Sequence, residues 1–308
     1  MKILVTGGSG TIGSNLKEVI SDKHIWFFPT SKEMNLLDER SIELYFMKNK
    51  PEFIIHLAAN VGGLYKNLHS KVEMFRENII MNENILNISY KYNIKNGIFC
   101  CSTCIFPFKP PSYPMTEDMI LKGEPHPSNA SYGWAKRLLY FQIQNYNSQY
   151  GTKYICLSPC NLYGKYDNFN LENSHVVAAL IHKFYLASLK NEHLEIKTSL
   201  ESKRQFISAK DLSKIIIRTI EKFNTIHYDN IIITDKDFLI TELVHIISNI
   251  FHYKNFSIIE DEKGQVKKTC SDIRMREVFP DIQLSSLENE LNEIVPWFIK
   301  NYNTIVRK

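Results

Sequence analysis

A glycine-rich turn close to the start of the chain restricts the possible folds more than any other feature. The apolar run Ile3-Leu4-Val5 leads into Thr-Gly-Gly-Ser-Gly-Thr-Ile-Gly at residues 6–13, and a helical pattern follows. A strand, a glycine turn and a helix in this order predict a βα unit that binds a dinucleotide. In such a unit Gly7 permits the tight turn, Gly10 lets the backbone approach a pyrophosphate, and Gly13 allows the helix to pack closely on the strand.

The first half of the chain continues this alternation, which predicts an α/β fold with a Rossmann-type, doubly wound parallel sheet. Short apolar runs predict strands at Lys2–Thr6, Ile25–Phe28, Phe53–Leu57, Gly97–Cys101 and Tyr154–Ser158. Helical patterns between and after them predict helices at Ile12–Ile20, Asp38–Met47, Lys71–Tyr92 and Tyr132–Tyr146.

The pattern changes after about residue 165, where helices are predicted at His175–Leu189, Asp211–Phe223 and Thr241–Phe251 among shorter strands. We therefore expect a dinucleotide-binding domain over residues 1–165 and a smaller α/β substrate domain over 166–308, with the chain free to cross between them more than once. A final helix carries Leu287, Leu291, Ile294 and Phe298 on one face, which indicates packing. We expect Pro296 to bend or shorten that helix.

The end of the second predicted strand bears on the choice of cofactor. An acidic residue is expected there if the ribose 2′-hydroxyl of NAD is to be held. The chain instead reads Thr-Ser-Lys-Glu at residues 30–33. Ser31 and Lys32 suit a 2′-phosphate and favour NADP, whereas the adjacent Glu33 leaves NAD open.

Three residues have the pattern expected for hydride transfer. Tyr132 and Lys136 lie one helical turn apart, so a helix places both on one face. An ammonium close to a tyrosine favours its ionised form, and we expect Lys136 to lower the pKa of Tyr132. Ser102 follows a predicted strand, where its hydroxyl can hold a substrate carbonyl.

Several longer segments extend this pattern over nearly the whole chain. They are Ile-Ile-His-Leu-Ala-Ala-Asn-Val-Gly-Gly at 54–63, Ser-Thr-Cys-Ile-Phe-Pro at 102–107, Ser-Tyr-Gly-Trp-Ala-Lys-Arg at 131–137, Asn-Leu-Tyr-Gly at 161–164, Asp-Asn-Phe-Asn at 167–170 and Asn-Ser-His-Val at 173–176. With them the sequence resembles the extended short-chain dehydrogenase/reductase family. Within that family it resembles the enzymes that epimerise GDP-4-keto-6-deoxy-mannose at C3 and C5 and reduce it at C4.

The resemblance implies NADPH as cofactor, a GDP-sugar as substrate, and a set of site residues. The implied catalytic residues are Ser102, Cys104, Tyr132, Lys136 and His175, with Cys104 as base and His175 as acid in the epimerisation. The implied cofactor-binding residues are Gly7, Gly10, Thr11, Ile12, Gly13, Ser31, Lys32, Leu57, Ala58, Ala59, Tyr132, Lys136 and Asn161. The implied substrate-binding residues are Val61, Gly62, Gly63, Ser102, Asn161, Asn168, Lys183, Arg204, Lys267 and Lys268.

The sequence also predicts the local structure around the proposed acid and base. Cys104 points into the same site as Ser102 if the chain between them stays extended. Asn173 and Ser174 are candidate N-caps for the helix that contains His175, and a helix N-terminus lowers the pKa of an imidazole.

One segment departs from the family pattern. Residues 196–206 read Ile-Lys-Thr-Ser-Leu-Glu-Ser-Lys-Arg-Gln-Phe and lack the Trp-Gly-x-Gly that usually precedes the Arg-x-Phe. The sugar, and with it the nucleotide, therefore stays open. One alternative is a C4-reductase for another GDP-4-keto sugar, such as a heptose. Another is a non-catalytic, NADP-binding regulatory protein.

Composition and charge bear on other classes of function. The 308 residues carry 37 Lys+Arg and 33 Asp+Glu, a net charge of +4, which is too small and scattered to indicate nucleic-acid binding. We see no secretory signal and no apolar stretch long enough for a membrane, so we expect a cytoplasmic protein with six free thiols. No metal site is expected, because the cysteines at 100–104 lack a second pair of zinc ligands. Fold analogy suggests a homodimer through paired helices.

Overall fold

A computed structural model describes residues 1–261 and 267–306. Its strands are β1 (Lys2–Thr6), β2 (Ile25–Phe27), β3 (Phe53–His56), β4 (Asn96–Cys100), β5 (Lys153–Pro159), β6 (Asn161–Tyr163), β7 (Leu194–Thr198), β8 (Lys203–Ser208), β9 (Asn230–Ile233), β10 (Asp237–Leu239), β11 (Phe256–Glu260) and β12 (Lys267–Lys268). Its α-helices are α1 (Thr11–Val19), α2 (Glu39–Asn49), α3 (Leu64–His69), α4 (Lys71–Lys91), α5 (Ala130–Tyr150), α6 (Val176–Lys190), α7 (Ala209–Glu221), α8 (Ile240–Ile250), α9 (Ile273–Val278) and α10 (Leu287–Ile305).

A six-stranded parallel sheet in the order β2-β1-β3-β4-β5-β9 forms the centre of the molecule. Successive side chains of β1 point to opposite faces, so Leu4 packs in one apolar cluster and Ile3 and Val5 in another. A sheet buried on both faces explains the nearly continuous apolar runs of its strands. The predicted Rossmann-type fold is confirmed.

The chain after residue 165 contributes both to this sheet and to a smaller region. β9 pairs with β5 at the edge of the large sheet. In the smaller region β8 pairs with β6, β10 and β12, while β7 pairs with β11. A separate apolar cluster includes Phe184, Leu243 and Phe298. The domain boundary near residue 165 stays a prediction.

Two helices differ from their predicted bounds for identifiable reasons. α5 starts at Ala130 and ends where Gly151 adopts φ +62°, a conformation that suits glycine. α10 continues through Pro296 to Ile305, so the helix is not shortened at the proline, and a bend there stays a prediction. Val295 and Phe298 are buried on either side of the proline, and their packing favours continuation of the helix.

None of the helices in residues 1–261 and 267–306 has the length and apolarity to cross a membrane.

Candidate active site

The glycine turn forms a cradle in which side chains have no room. A Cβ atom on Gly7, whose φ is +69°, would lie 2.6 Å from the backbone nitrogen of Ala58. A Cβ on Gly13 would lie 2.5 Å from the Cα of Gly8. Gly10 is the N-cap of α1 and has no side chain to cover the first N–H groups of the helix. An open helix N-terminus with close backbone access fits the pyrophosphate of a dinucleotide.

The acidic residue in the loop after β2 is bound by a neighbour in the same loop. The carboxylate of Glu33 accepts hydrogen bonds from the backbone N–H and the hydroxyl of Thr30, at 2.8 and 2.9 Å. These bonds hold the pKa of Glu33 below its ordinary value. Ser31 and Lys32 are exposed beside it. The Glu33 carboxylate is thus already bound to Thr30, whereas Ser31 and Lys32 are exposed. This combination favours contact with a 2′-phosphate over contact with a ribose hydroxyl.

Asp167 is a carboxyl group next to the glycine turn that the sequence analysis did not single out. The Thr11 hydroxyl lies 3.4 Å from Asp167 Oδ1, which also accepts from the N–H of Asn168 at 2.8 Å. Burial raises the pKa of Asp167 to about 7. Near pH 7 the Asp167 carboxyl is therefore partly protonated, and it lies close to the position expected for the pyrophosphate.

Lys136 is buried on α5 with only 1% of its surface exposed. Its ammonium donates to the carbonyl of Cys100 at 2.7 Å, which uses one of its three protons. The pKa of the buried His56 falls to about 3, because burial and the Lys136 charge both disfavour imidazolium. The neutral His56 ring is instead hydrogen-bonded to the side chains of Thr6 and Asn82. These bonds link the ends of β1 and β3 to α4.

Tyr132 lies one turn before Lys136 and is 8% exposed. Burial raises its pKa well above the ordinary value, and negative charge at Cys100 and Cys104 would raise it further. The expected lowering by Lys136 is therefore wrong for the protein alone, because desolvation of the phenolate dominates. Tyr132 keeps its proton near neutral pH and is suited to donate it.

Ser102 and Cys104 are joined by a tight turn after β4. The Ser102 hydroxyl oxygen accepts a hydrogen bond from the N–H of Cys104 at 3.2 Å and caps a single 3-10 turn at Thr103–Ile105. The chain between them is not extended, because the serine side chain bonds to the local backbone. The turn nevertheless places Cys104 close enough to influence the pKa of Tyr132.

Two donors converge on the sulfur of Cys104. Asn129 Nδ2 lies 3.2 Å from Cys104 Sγ, and Lys268 Nζ lies 3.4 Å from it. These three residues and His126 line a small cavity. Asn129 and His126 were missed because their proximity to Cys104 depends on tertiary contacts rather than on a sequence spacing.

His175 is the N-cap of α6 rather than a residue within it, and the predicted capping by Asn173 or Ser174 is absent from the contacts described for this helix. Instead the Asn173 carbonyl accepts from the N–H of Gly63 at 2.8 Å. A Cβ on Gly63 would lie 2.3 Å from the Ser174 carbonyl oxygen, so only glycine allows this approach. The pKa of His175 is lowered by the atoms packed around its ring and by the Lys268 charge, although the residue is exposed at the surface.

The other residues predicted to contact the substrate have different settings. Arg204 on β8 is next to Lys268 on β12, and burial lowers the pKa of its guanidinium. The Lys267 ammonium lies 4.8 Å from the centre of the Tyr113 ring.

The remaining predicted contact residues differ in exposure. Val61, Asn168 and Lys183 are exposed, whereas Gly62 is buried. The Asn161 side chain donates a hydrogen bond to the Gln205 carbonyl. Ile12, Leu57 and Ala59 are half-buried near the glycine turn. Ligand contacts by all of these residues stay predictions.

Metal-ligating side chains do not cluster in the part of the chain that the structure describes, where no three of His, Cys, Asp and Glu are placed to hold an ion. All six cysteines are unpaired. Cys104 is half-buried and the other five are buried.

The sequence of this chain is similar to those of known proteins. The sequence model of the NAD dependent epimerase/dehydratase family matches residues 3–233. A GDP-L-fucose synthase of Dictyostelium discoideum is 38% identical over 98% of this chain and 96% of its own. A GDP-L-colitose synthase of Yersinia pseudotuberculosis is 34% identical over 98% of this chain and 99% of its own.

A solved structure is similar over the same length. The crystal structure of a GDP-L-fucose synthetase from Naegleria fowleri, bound to NADP, superimposes with a TM-score of 0.89 at 34% identity. The match covers 99% of this chain and 94% of that one.

Proposed function

The chain belongs to the NAD dependent epimerase/dehydratase family, and we propose that it catalyses the reaction of a GDP-L-fucose synthase. This reaction is the NADPH-dependent 3,5-epimerisation and C4 reduction of a GDP-4-keto-6-deoxy-hexose. The observation that carries the proposal is the convergence of Asn129 and Lys268 on the Cys104 sulfur beside Tyr132. A plain reductase needs Tyr132, Lys136 and Ser102, but it has no use for a thiol held by two donors.

The glycine turn, Ser31 and Lys32 would hold the cofactor, with Lys136 supporting its reactive end. When bound, NADPH supplies the hydride that reduces C4. Lys136 retains two ammonium protons beyond the one it donates to Cys100, and these can bond to a ribose and to Tyr132. The basic residues Arg204, Lys267 and Lys183 would face the two phosphates of the sugar nucleotide.

Cys104 and His175 account for the proton transfers. The Cys104 thiolate takes the proton from C3, the C–H electron pair forms a C3–C4 double bond, and the C4 ketone oxygen becomes an enolate. Tyr132 donates a hydrogen bond to that oxygen, a role that suits its raised pKa. His175, in its imidazolium form, returns a proton to the opposite face of C3, and the ketone forms again. Cys104 then releases the captured proton to solvent and His175 takes one up, which restores the thiolate and the imidazolium for the same sequence at C5. Reduction follows, in which the Tyr132 proton passes to the C4 oxygen.

A second candidate is C4 reduction of another GDP-4-keto sugar without epimerisation. It is favoured by the segment at 196–206, where β7 ends at Thr198 and a turn leads into β8. The Glu260 carboxylate accepts from the N–H of Leu200 in this turn, at 3.1 Å. No aromatic wall or glycine pair is present there to shape the sugar site.

A screen of 4-keto sugars tests the substrate class and the catalytic assignment together. NADPH oxidation is followed with GDP-, UDP- and dTDP-linked 4-keto sugars, in the unmodified protein, in Tyr132→Phe and in the control Tyr150→Phe on the exposed end of the same helix. We expect turnover of the GDP sugar and its loss by at least about 100-fold in Tyr132→Phe alone. Turnover of a non-GDP sugar only, or an active Tyr132→Phe, would contradict the proposal.

We also propose a cytoplasmic homodimer. α4 and α5 pack side by side, and both expose apolar side chains: Val72 and Phe75 on α4, and Trp134, Leu138 and Phe141 on α5. Within each helix these positions recur at helical spacing. We call the five side chains the apolar face of α4 and α5 and propose that a second copy covers it. The six unpaired cysteines support a reducing compartment.

A further inference from the structure

Asn129 occupies the N-cap of α5 but does not cap the helix. Asparagine is among the residues most favoured at this position, because its side-chain oxygen can accept from the first free N–H groups. Here its side chain makes no capping hydrogen bond. α5 therefore begins without the stabilisation that its own N-cap residue could provide.

The two polar atoms of the Asn129 side chain have unequal surroundings. Nδ2 lies 3.2 Å from Cys104 Sγ. Oδ1 is buried and has no hydrogen-bond partner among the described residues. A buried carbonyl oxygen without a partner carries a desolvation cost. The side chain thus forgoes both a helix cap and a partner for its oxygen, and its only described contact with a polar atom is the one to sulfur.

From this geometry we propose that Asn129 is a positioning residue that orients the Cys104 sulfur for proton abstraction and donates a hydrogen bond to the thiolate form that reacts. The inference rests on the proposed function, because it assigns Asn129 to the epimerisation half of that reaction. An amide N–H donates to a thiolate more strongly than to a neutral thiol, since the acceptor is charged. Lys268 supplies the second donor at 3.4 Å.

The amide group also suits the thiol that forms when Cys104 has taken a proton. Rotation of the carboxamide by half a turn exchanges the positions of Nδ2 and Oδ1. Oδ1 can then accept a hydrogen bond from the S–H group of Cys104. Asn129 therefore offers a donor to the thiolate and an acceptor to the thiol. A lysine alone can serve only the charged form.

Alkylation of Cys104 tests this role without substrate or cofactor. Iodoacetamide reacts with thiolates, and Cys104 is half-buried while the other five cysteines are buried and report any unfolding. Asn129→Ser keeps a good N-cap residue but is too short to reach the sulfur. Asn145→Ser, at an exposed position on the same helix, is the matched control.

We expect mass spectrometry to show Cys104 alkylation about tenfold slower in Asn129→Ser, the effect of losing one hydrogen bond to a charged group. The thermal midpoint should stay equal or rise, because serine can cap α5. Unchanged alkylation in a folded Asn129→Ser would overturn the proposal, as would equal slowing in Asn145→Ser.

Exchange with solvent provides the second readout. With GDP-4-keto-6-deoxy-mannose, Asn129→Ser should lose about tenfold in deuterium uptake at C3 and C5 and change much less in C4 reduction. Equal losses in both steps would overturn the positioning role. If the unmodified protein takes up no deuterium, the proposed function fails, and the alkylation rates alone decide the role of Asn129.

Discussion

At the scale of single residues, the site depends on a few groups whose charge is set by burial and by one or two neighbours. Burial keeps the proton on Tyr132 and removes it from His56, whereas Glu33 is held ionised by Thr30. Types and spacings identified Ser102, Tyr132 and Lys136 as candidates. The direction of the Tyr132 pKa was predicted wrongly, because sequence reveals a neighbouring charge but not the loss of water around the phenol.

Lys32 should set the preference between cofactors. Replacement by alanine removes the cation beside the expected 2′-phosphate, and we predict that the KM for NADPH rises about tenfold. The KM for NADH should change little, since NADH has no phosphate at that position. Steady-state kinetics with both cofactors provides the check. An equal rise in the KM values for NADPH and NADH would show that Lys32 does not bind the 2′-phosphate.

Asp167 should make NADP binding depend on pH. Its pKa of about 7 means that the carboxyl is mostly neutral below that pH and anionic above it. The anion near Thr11 should repel the pyrophosphate, so affinity should fall as pH rises through 7.

Calorimetric titration of the unmodified protein and Asp167→Asn with NADP, at about one pH unit on either side of this pKa, tests the effect. The variant should lose the part of the pH dependence that belongs to Asp167. An identical pH dependence in both proteins would rule out this electrostatic role.

At the scale of elements, the site is the meeting point of a turn after β4 and the start of α5. The sequence predicted β4 and α5 within a few residues, because apolar runs and helical periodicity are local signals. It did not predict the 3-10 turn at Thr103–Ile105, which depends on a side-chain bond from Ser102. It also did not predict the Asn129 contact with Cys104, which joins positions from different elements.

Gly133 should be required where these elements meet. A Cβ at this position would lie 2.7 Å from the Cys104 carbonyl oxygen and 2.8 Å from Pro125 Cβ, so Gly133→Ala must displace the turn. We predict a loss of about 1–3 kcal/mol in the free energy of unfolding and a several-fold change in Cys104 alkylation.

Gly151→Ala is the matched control on the same helix. It forces a non-glycine residue into φ +62° with no heavy atom within 4 Å of the new Cβ. It should cost stability and leave Cys104 alkylation unchanged. Equal alkylation rates in both variants would show that Gly133 does not position the turn.

At the scale of the whole molecule, both the large parallel sheet and the smaller region contribute residues to the candidate site. Ser102 and Tyr132 come from the first half of the chain, whereas Lys268 and Arg204 come from strands of the smaller region. Sequence reasoning predicted the Rossmann-type sheet because its βα units are local. The position of Lys268 beside Cys104 could not be predicted, since 164 residues separate the two.

The apolar face of α4 and α5 should set the oligomeric state. Phe141→Glu places a charge in this face, and we predict that it converts a dimer to a monomer in size-exclusion chromatography with light scattering. Leu189→Glu changes an equally apolar, 64% exposed position on α6 and should leave the dimer intact. A monomeric unmodified protein, or a dimeric Phe141→Glu variant, would argue against this interface.

If one site both epimerises and reduces, solvent deuterium must appear in the reduced product, and this label is the most direct test of the proposed function. The protein is incubated in D₂O with GDP-4-keto-6-deoxy-mannose and NADPH, and the product is examined by NMR. We predict GDP-L-fucose labelled with deuterium at C3 and C5, and in Cys104→Ser a far greater loss of label than of C4 reduction. A C4-reduced product without deuterium at either carbon would contradict the account.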